Sequence, residues 1–164
     1  MSFRDRLTYS PDTGAFHDGE ARYMMIKPEA FMGILPRLPA EIRPQVLQAM
    51  ADTVFDNGGK SARTYRAAGA EAGDALLGVI AETAPQLGWG SWTFARHDDH
   101  IELTVANSPF AAGHGPSDTP VCFPILGMLR AVSGMVFGCE TDVAETECAA
   151  CGAALCRFTA RPRG

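Results

Sequence analysis

No stretch of this sequence is apolar for the about 18–20 residues that a bilayer-spanning helix requires, and no segment concentrates lysine and arginine. The first absence argues against a membrane span. The second, with a net charge of −5, argues against direct nucleic-acid binding, which needs a basic stripe. The opening MSFRDRLTYSPDTG turns charged at once and lacks the apolar core of roughly 7–15 residues that marks a secretory signal. The expectation is a cytoplasmic protein, where thiols stay reduced. There is no GxGxxG after a strand, no flavin motif, no Walker motif and no helix-turn-helix pattern. Hydride chemistry or DNA control would therefore have to come through a partner protein.

What is present suits one domain: 164 residues, 46% apolar and 20% charged, without repeats or low-complexity tracts. LTYSPDTGAFHDG predicts a hairpin turning at Pro-Asp-Thr-Gly, and ARYMMIKP an extended run. Pro28 followed by Glu29 starts a short helix, PEAFMGILPRL, which Pro36 and Pro39 punctuate. AEIRPQVLQAMADTVFDNG reads as a helix stopped by Asn57-Gly58-Gly59, and SARTYRAAGA and EAGDALLGVIAETA as two more. From Leu87 the period changes to two. Ile101, Leu103 and Val105 alternate with polar residues in a hairpin whose turn, His97-Asp98-Asp99, reads as solvated. A loop, SPFAAGHGPSDTP, leads to a helix on which Cys122, Ile125, Leu129, Val132 and Val136 share a face. The last segment predicts two strands, ETDVAETEC and ALCRFTAR, joined by AACGA. The order of elements predicts an α+β domain with helices packed on one face of an antiparallel sheet.

Chemistry concentrates in the cysteines. Five is an odd number for disulfides, and a reducing compartment weakens that reading further. Glu145-x2-Cys148 and Cys148-x7-Cys156 supply three zinc-type ligands from the last hairpin, and Cys122 on the preceding helix is a natural fourth. Cys148-x2-Cys151 is the tighter alternative, with Cys151 taking the place of Glu145. Buried unliganded thiols account for the same residues. A redox CxxC normally opens a helix, whereas this one falls in a hairpin turn.

The segment VCFPILGMLRAVSGMVFGCETDVAETECAACGAALCRF resembles the 4-vinyl reductase domain. The marks are a Cys opening an apolar helix, a Gly near its end, and the closing pattern of Glu145, Cys148, Ala150, Gly152, Cys156 and Phe158. The opening FRDRLTYSPDTGAFHDGEARYMMIKPEAFMGILPRL is similar to the start of the sensor domains of phenol- and xylene-responsive transcription activators. The resemblance implies a single domain over 1–164, with an N-terminal hairpin and helices in 1–86 and a zinc-binding helix and hairpin in 118–161. It implies a ligand-binding fold related to Golgi tethering-complex subunits, usually a homodimer. It also implies a structural zinc on Cys122, Glu145, Cys148 and Cys156, with Cys151 a spare thiol beside it and Cys139 a packing residue.

Function follows by the same resemblance: capture of a small hydrophobic or aromatic ligand, as a stand-alone sensor or carrier signalling through a partner. A bacteriochlorophyll-type 4-vinyl reductase, or its accessory factor, and a non-catalytic assembly subunit are the alternatives. Four protein ligands leave zinc no open position for catalysis, which argues against a zinc enzyme. The pocket His of the phenol sensors is replaced by Gly88, and a Trp beside the Ser of the matched segment by Pro109, so phenol itself fits poorly. Trp89, Trp92, Phe94, Phe110, Phe123 and Val143 are the candidates for an apolar lining, and His114 for a polar contact.

Overall fold

The computed structural model describes residues 2–67 and 73–164. A short helix, α1 (Phe3–Arg6), is closed by a capping box in which Ser2 and Asp5 exchange hydrogen bonds. Three strands follow, β1 (Thr8–Ser10), β2 (Ala15–Asp18) and β3 (Ala21–Tyr23), forming an antiparallel sheet in chain order. The Pro-Asp-Thr-Gly turn lies between β1 and β2, with Gly14 at φ 61°, where a side chain would be strained. Pro28 begins α2 (Pro28–Met32), and 3-10 turns at Leu35–Arg37 and Ala40–Ile42 lead to α3 (Arg43–Ala67).

The long α3 departs from the expected stop at Asn57-Gly58-Gly59, and the segment read as a separate helix from Ser61 is its continuation as far as Ala67. The rest of that segment, and the expected start of the next helix at Glu71, fall on 68–72, outside the described residues. Tertiary packing overrides the glycines' weak propensity. A Cβ on Gly58 would stand 2.6 Å from Cε of Met128, so the missing side chain lets a second helix approach closely instead of ending the first.

That second helix is α6 (Phe123–Phe137), which packs along α3. Gly127 faces Ala51 so closely that a Cβ there would meet the Ala51 carbonyl oxygen at 2.1 Å. Between them in sequence lie α4 (Gly73–Gln86), β4 (Ser91–Arg96), β5 (Ile101–Ala106) and α5 (Pro109–His114). The sequence 108–120 was expected to be loop throughout. Ser108-Pro109 instead caps α5, with the Ser108 hydroxyl accepting from Ala111 N–H and Pro at the first turn.

The chain closes with β6 (Thr141–Glu147), a 3-10 turn (Ala149–Cys151) and β7 (Cys156–Pro162). These join β4 and β5 in an antiparallel sheet of order β4-β5-β7-β6. Ile101, Leu103, Val105, Cys156, Phe158 and Ala160 are buried on its inner face, against α4 and α6. This is the expected α+β architecture. A buried hydroxyl pair, Ser133 to Thr141 at 2.7 Å, ties α6 to β6.

One irregularity decides the geometry of the last hairpin. Glu145 pairs with Phe158, but Glu147 pairs with Arg157, so β6 carries one extra residue there. In an unbroken strand Glu145 and Cys148, three positions apart, would face opposite sides of the sheet. The bulge changes the parity and turns both inward, leaving Glu147 outside to meet Arg157.

Candidate functional site

Two features stand out: a cluster of sulfurs and a carboxylate beneath the sheet, and a largely apolar cleft beside α3.

In the cluster, one ligand atom each from Cys122, Glu145, Cys148 and Cys156 lies within 4.8 Å of the others. Cys122 is the residue before the first turn of α6, Glu145 comes from the bulge, Cys148 from the hairpin end and Cys156 from the start of β7. Glu145 Oε2 accepts the Cys122 backbone N–H at 2.9 Å, which places a carboxylate at the positive end of the α6 dipole. The sulfurs also have neighbours outside the set: Ser108 Oγ is 3.2 Å from Cys122 Sγ, and Ala149 N–H donates to Cys156 Sγ at 3.3 Å. Cys122, Cys148 and Cys156 are buried, whereas Cys151 is exposed and outside the set. Cys139, expected to be a packing residue, is exposed too, because the left-handed Gly138 turns the chain outward after α6.

The donor set fits a tetrahedral cation. Cys122 Sγ and Cys156 Sγ are 3.7 Å apart, and two sulfurs 2.3 Å from one tetrahedral zinc stand about 3.8 Å apart. Glu145 Oε1 is buried and, alone among the described residues' buried side-chain nitrogens and oxygens, has no hydrogen-bond partner. The electrostatics point the same way. Hydrogen bonds from Cys122 and Cys156 hold the Cys148 thiol far below its usual range, and the Cys148 and Cys156 contacts and burial raise Cys122. Cys156 is pulled down by Cys122 but pushed up more by Cys148 and burial, to about 12. Burial, then the neighbouring Cys148, lifts Glu145 to about 8. Burial thus opposes a build-up of negative charge in the cluster, and a divalent ion would offset that charge.

The cleft, about 520 Å³, is walled by Ala21–Tyr23 of β3, by Thr53, Val54, Asn57 and Gly58 of α3, and by Ile80, Thr83 and Ala84 of α4. Lys60 and Ala62 of α3, Met128 of α6, Leu87, Trp89 and Trp92 complete it. Three of its polar groups are occupied locally. Asn57 donates to Thr53 O, Thr83 to Val79 O, and the Trp92 indole to Trp89 O at 2.9 Å.

Of the seven sequence candidates for a lining, Trp89 and Trp92 reach this cleft. Phe110 and Phe94 stand behind them, Phe110 edge-on to Trp89 at 5.1 Å and Phe94 to Trp92 at 6.0 Å. Phe123 and Val143 border a separate hollow of about 180 Å³. His114, at the end of α5, turns Nδ1 to Gly115 O at 3.2 Å. Sequence reading missed the α3 wall, Thr53 to Gly58. The available signal was the small Gly58 within an otherwise helical run.

Residues 101–162 match the family model of the V4R domain, so the resemblance to the 4-vinyl reductase domain is borne out there. Among curated proteins nothing matches the chain. Among solved structures, the phenol-responsive sensory domain of the transcription activator PoxR, in complex with phenol, is similar over 97% of this chain and 86% of that one, at 20% identity and a TM-score of 0.78. A trafficking protein particle complex subunit 3 from Naegleria fowleri, covalently bound to palmitic acid, covers 84% and 95% at 9% identity and a TM-score of 0.58. A vinyl-4-reductase family protein from Methanocaldococcus jannaschii covers 87% and 98% at 12% identity and a TM-score of 0.50. At these identities the likeness is one of fold. No helix among the described residues is long and apolar enough to cross a membrane.

Proposed function

We propose that this chain is a zinc-stabilised ligand-binding domain that captures a small hydrophobic or aromatic molecule in the cleft beside α3, as a sensor or carrier. The carrying observation is that both tryptophans of the chain line one largely apolar cleft. Its volume falls in the range of about 300–1,000 Å³ that small-molecule sites occupy. A larger hollow, about 800 Å³, lies over the loops at Asn107–Ser108 and Ala149–Gly152, but its walls hold no aromatic ring. The phenol held by the PoxR sensory domain is in keeping with an aromatic ligand.

Zinc, held by Cys122, Glu145, Cys148 and Cys156, has a structural role in this reading, since four protein ligands leave no position for substrate. It joins α6 to the last hairpin and so fixes the sheet behind the cleft. A homodimer accompanies the reading: Met24 and Met25, at 78% and 79% exposure, form with Ile26 an apolar strip fit for a second copy. Signalling would pass through a partner protein.

The test is a panel of alkylbenzenes, phenols and tetrapyrroles, followed by tryptophan fluorescence and thermal shift. A binder from the first two groups quenches the emission and raises the melting temperature. A tetrapyrrole binding alone would redirect the assignment, and a panel that moves neither signal would overturn it. Native mass spectrometry reads zinc content and dimerisation in the same sample.

A further inference from the structure

The tip of the β4–β5 hairpin holds a second set of metal-type donors that the proposed function leaves unused. His97, His100 and Glu102 each bring one ligand atom within 4.8 Å of the other two. The two imidazole rings are stacked, with centroids 4.3 Å apart and planes 13° from parallel. Both Nε2 atoms consequently face one carboxylate: His100 Nε2 lies 3.4 Å from Glu102 Oε1, and His97 Nε2 lies 4.0 Å from Oε2. The His97 backbone N–H closes the turn on His100 O at 2.8 Å.

The hydrogen positions follow from the partners. His100 Nδ1 is 2.6 Å from Asp99 Oδ1, and an ionised carboxylate only accepts, so Nδ1 carries the hydrogen. In a neutral ring Nε2 then holds a lone pair, aimed at a carboxylate oxygen that also offers only lone pairs. A cation between them, a second proton or a metal, would turn this contact into an attraction. A proton on His100 would serve only the His100–Glu102 pair, whereas one divalent ion would engage Glu102 and both rings. The Asp99–His100 contact is the carboxylate–imidazole pairing that orients metal-ligating histidines. Arg161 in turn holds the other oxygen of Asp99 at 2.7 Å.

We propose that this tip is a binding site for an exchangeable divalent transition-metal ion, held by Nε2 of His97 and of His100 and by the Glu102 carboxylate. Imidazole and carboxylate donors without thiolate suit zinc, nickel or copper. Ligands 2.0–2.1 Å from a tetrahedral metal stand about 3.3 Å apart, close to the 3.4 Å His100–Glu102 contact; the exposed His97 ring, at 4.0 Å, turns out of the stack so that its in-plane lone pair meets the same ion. Solvent completes the coordination, which makes the ion exchangeable. The site is separate from the thiolate cluster: Ile101, adjoining the tip, pairs with Ala160, whereas Val105, at the other end of β5, pairs with Cys156.

The experiment is a titration of the full chain, first saturated with zinc and dialysed, with divalent nickel, followed by calorimetry and by NMR of the imidazole groups. One equivalent binds, and the His97 and His100 signals broaden while those of His17 and His114 stay sharp. His97→Ala, His100→Gln and Glu102→Gln each weaken the event more than about tenfold, with circular dichroism read for each because the His100 side chain is only 16% exposed. Nickel binding that survives these substitutions overturns the proposal. So does a His100 ring that carries both protons at neutral pH and ignores nickel.

Discussion

The Ser108 hydroxyl lies 3.2 Å from the Cys122 sulfur and also accepts the Ala111 N–H that starts α5. One buried side chain thereby links the cysteine cluster to the helix whose Phe110 packs on Trp89 at the cleft. Ser108→Ala removes a helix cap and a hydrogen bond to sulfur together. The expected loss is about 1–2 kcal/mol in urea unfolding of the zinc-loaded protein. A ligand-dependent change in tryptophan emission should weaken with it.

Cys148→Ser should abolish zinc retention and cost more than about 4 kcal/mol, the range reached when a structural metal is lost. Cys151→Ser, at the exposed neighbouring position, should leave zinc content and melting temperature unchanged. Equal effects of the two substitutions in mass spectrometry and thermal melts would point to a CxxC site.

The pH dependence should flatten when zinc is stripped. In the metal-free cluster, burial and then Cys148 raise Glu145 from 4.5 to about 8. Between those values the folded state binds the proton and the unfolded state does not. Cys148, held far below its usual range, has released its proton in the folded state but not in the unfolded one, so the two linkages offset and the stripped protein's stability changes little from pH 4.5 to about 8. In the loaded protein, protons compete with zinc for the ligands, so stability falls as pH drops. Paired denaturant curves with and without chelator read both slopes.

Gly127→Ala places a methyl against the Ala51 carbonyl, 2.1 Å away on rigid backbone. The two helices must separate, with an expected cost of about 1–3 kcal/mol or more. Gly78→Ala, within a helix and with open space around the new Cβ, should instead be neutral or slightly stabilising. Thermal melts of the two variants separate packing from backbone entropy.

Local pattern determined much of the fold. Alternation at Ile101, Leu103 and Val105 marked β5, the turn Pro-Asp-Thr-Gly marked the first hairpin, and the apolar stripe from Cys122 to Val132 marked α6. Such signals are short-range, since strand and helix periods are written within a few residues. The Ser108-Pro109 cap was equally local but stood in a Gly-rich stretch that outweighed it.

Tertiary structure decided the rest. Whether Asn57-Gly58-Gly59 stops a helix depends on Met128, seventy residues away, filling the space a side chain would occupy. The aromatic residues read together from the sequence divide between a cleft, the packing behind it and a separate hollow, because periodicity does not say which faces meet. Spacing alone could not put Glu145 and Cys148 on one side of the sheet either. Composition and spacing proposed the ligands, but the extra residue in β6 turned both inward, and that register is set only when β6 pairs with β7.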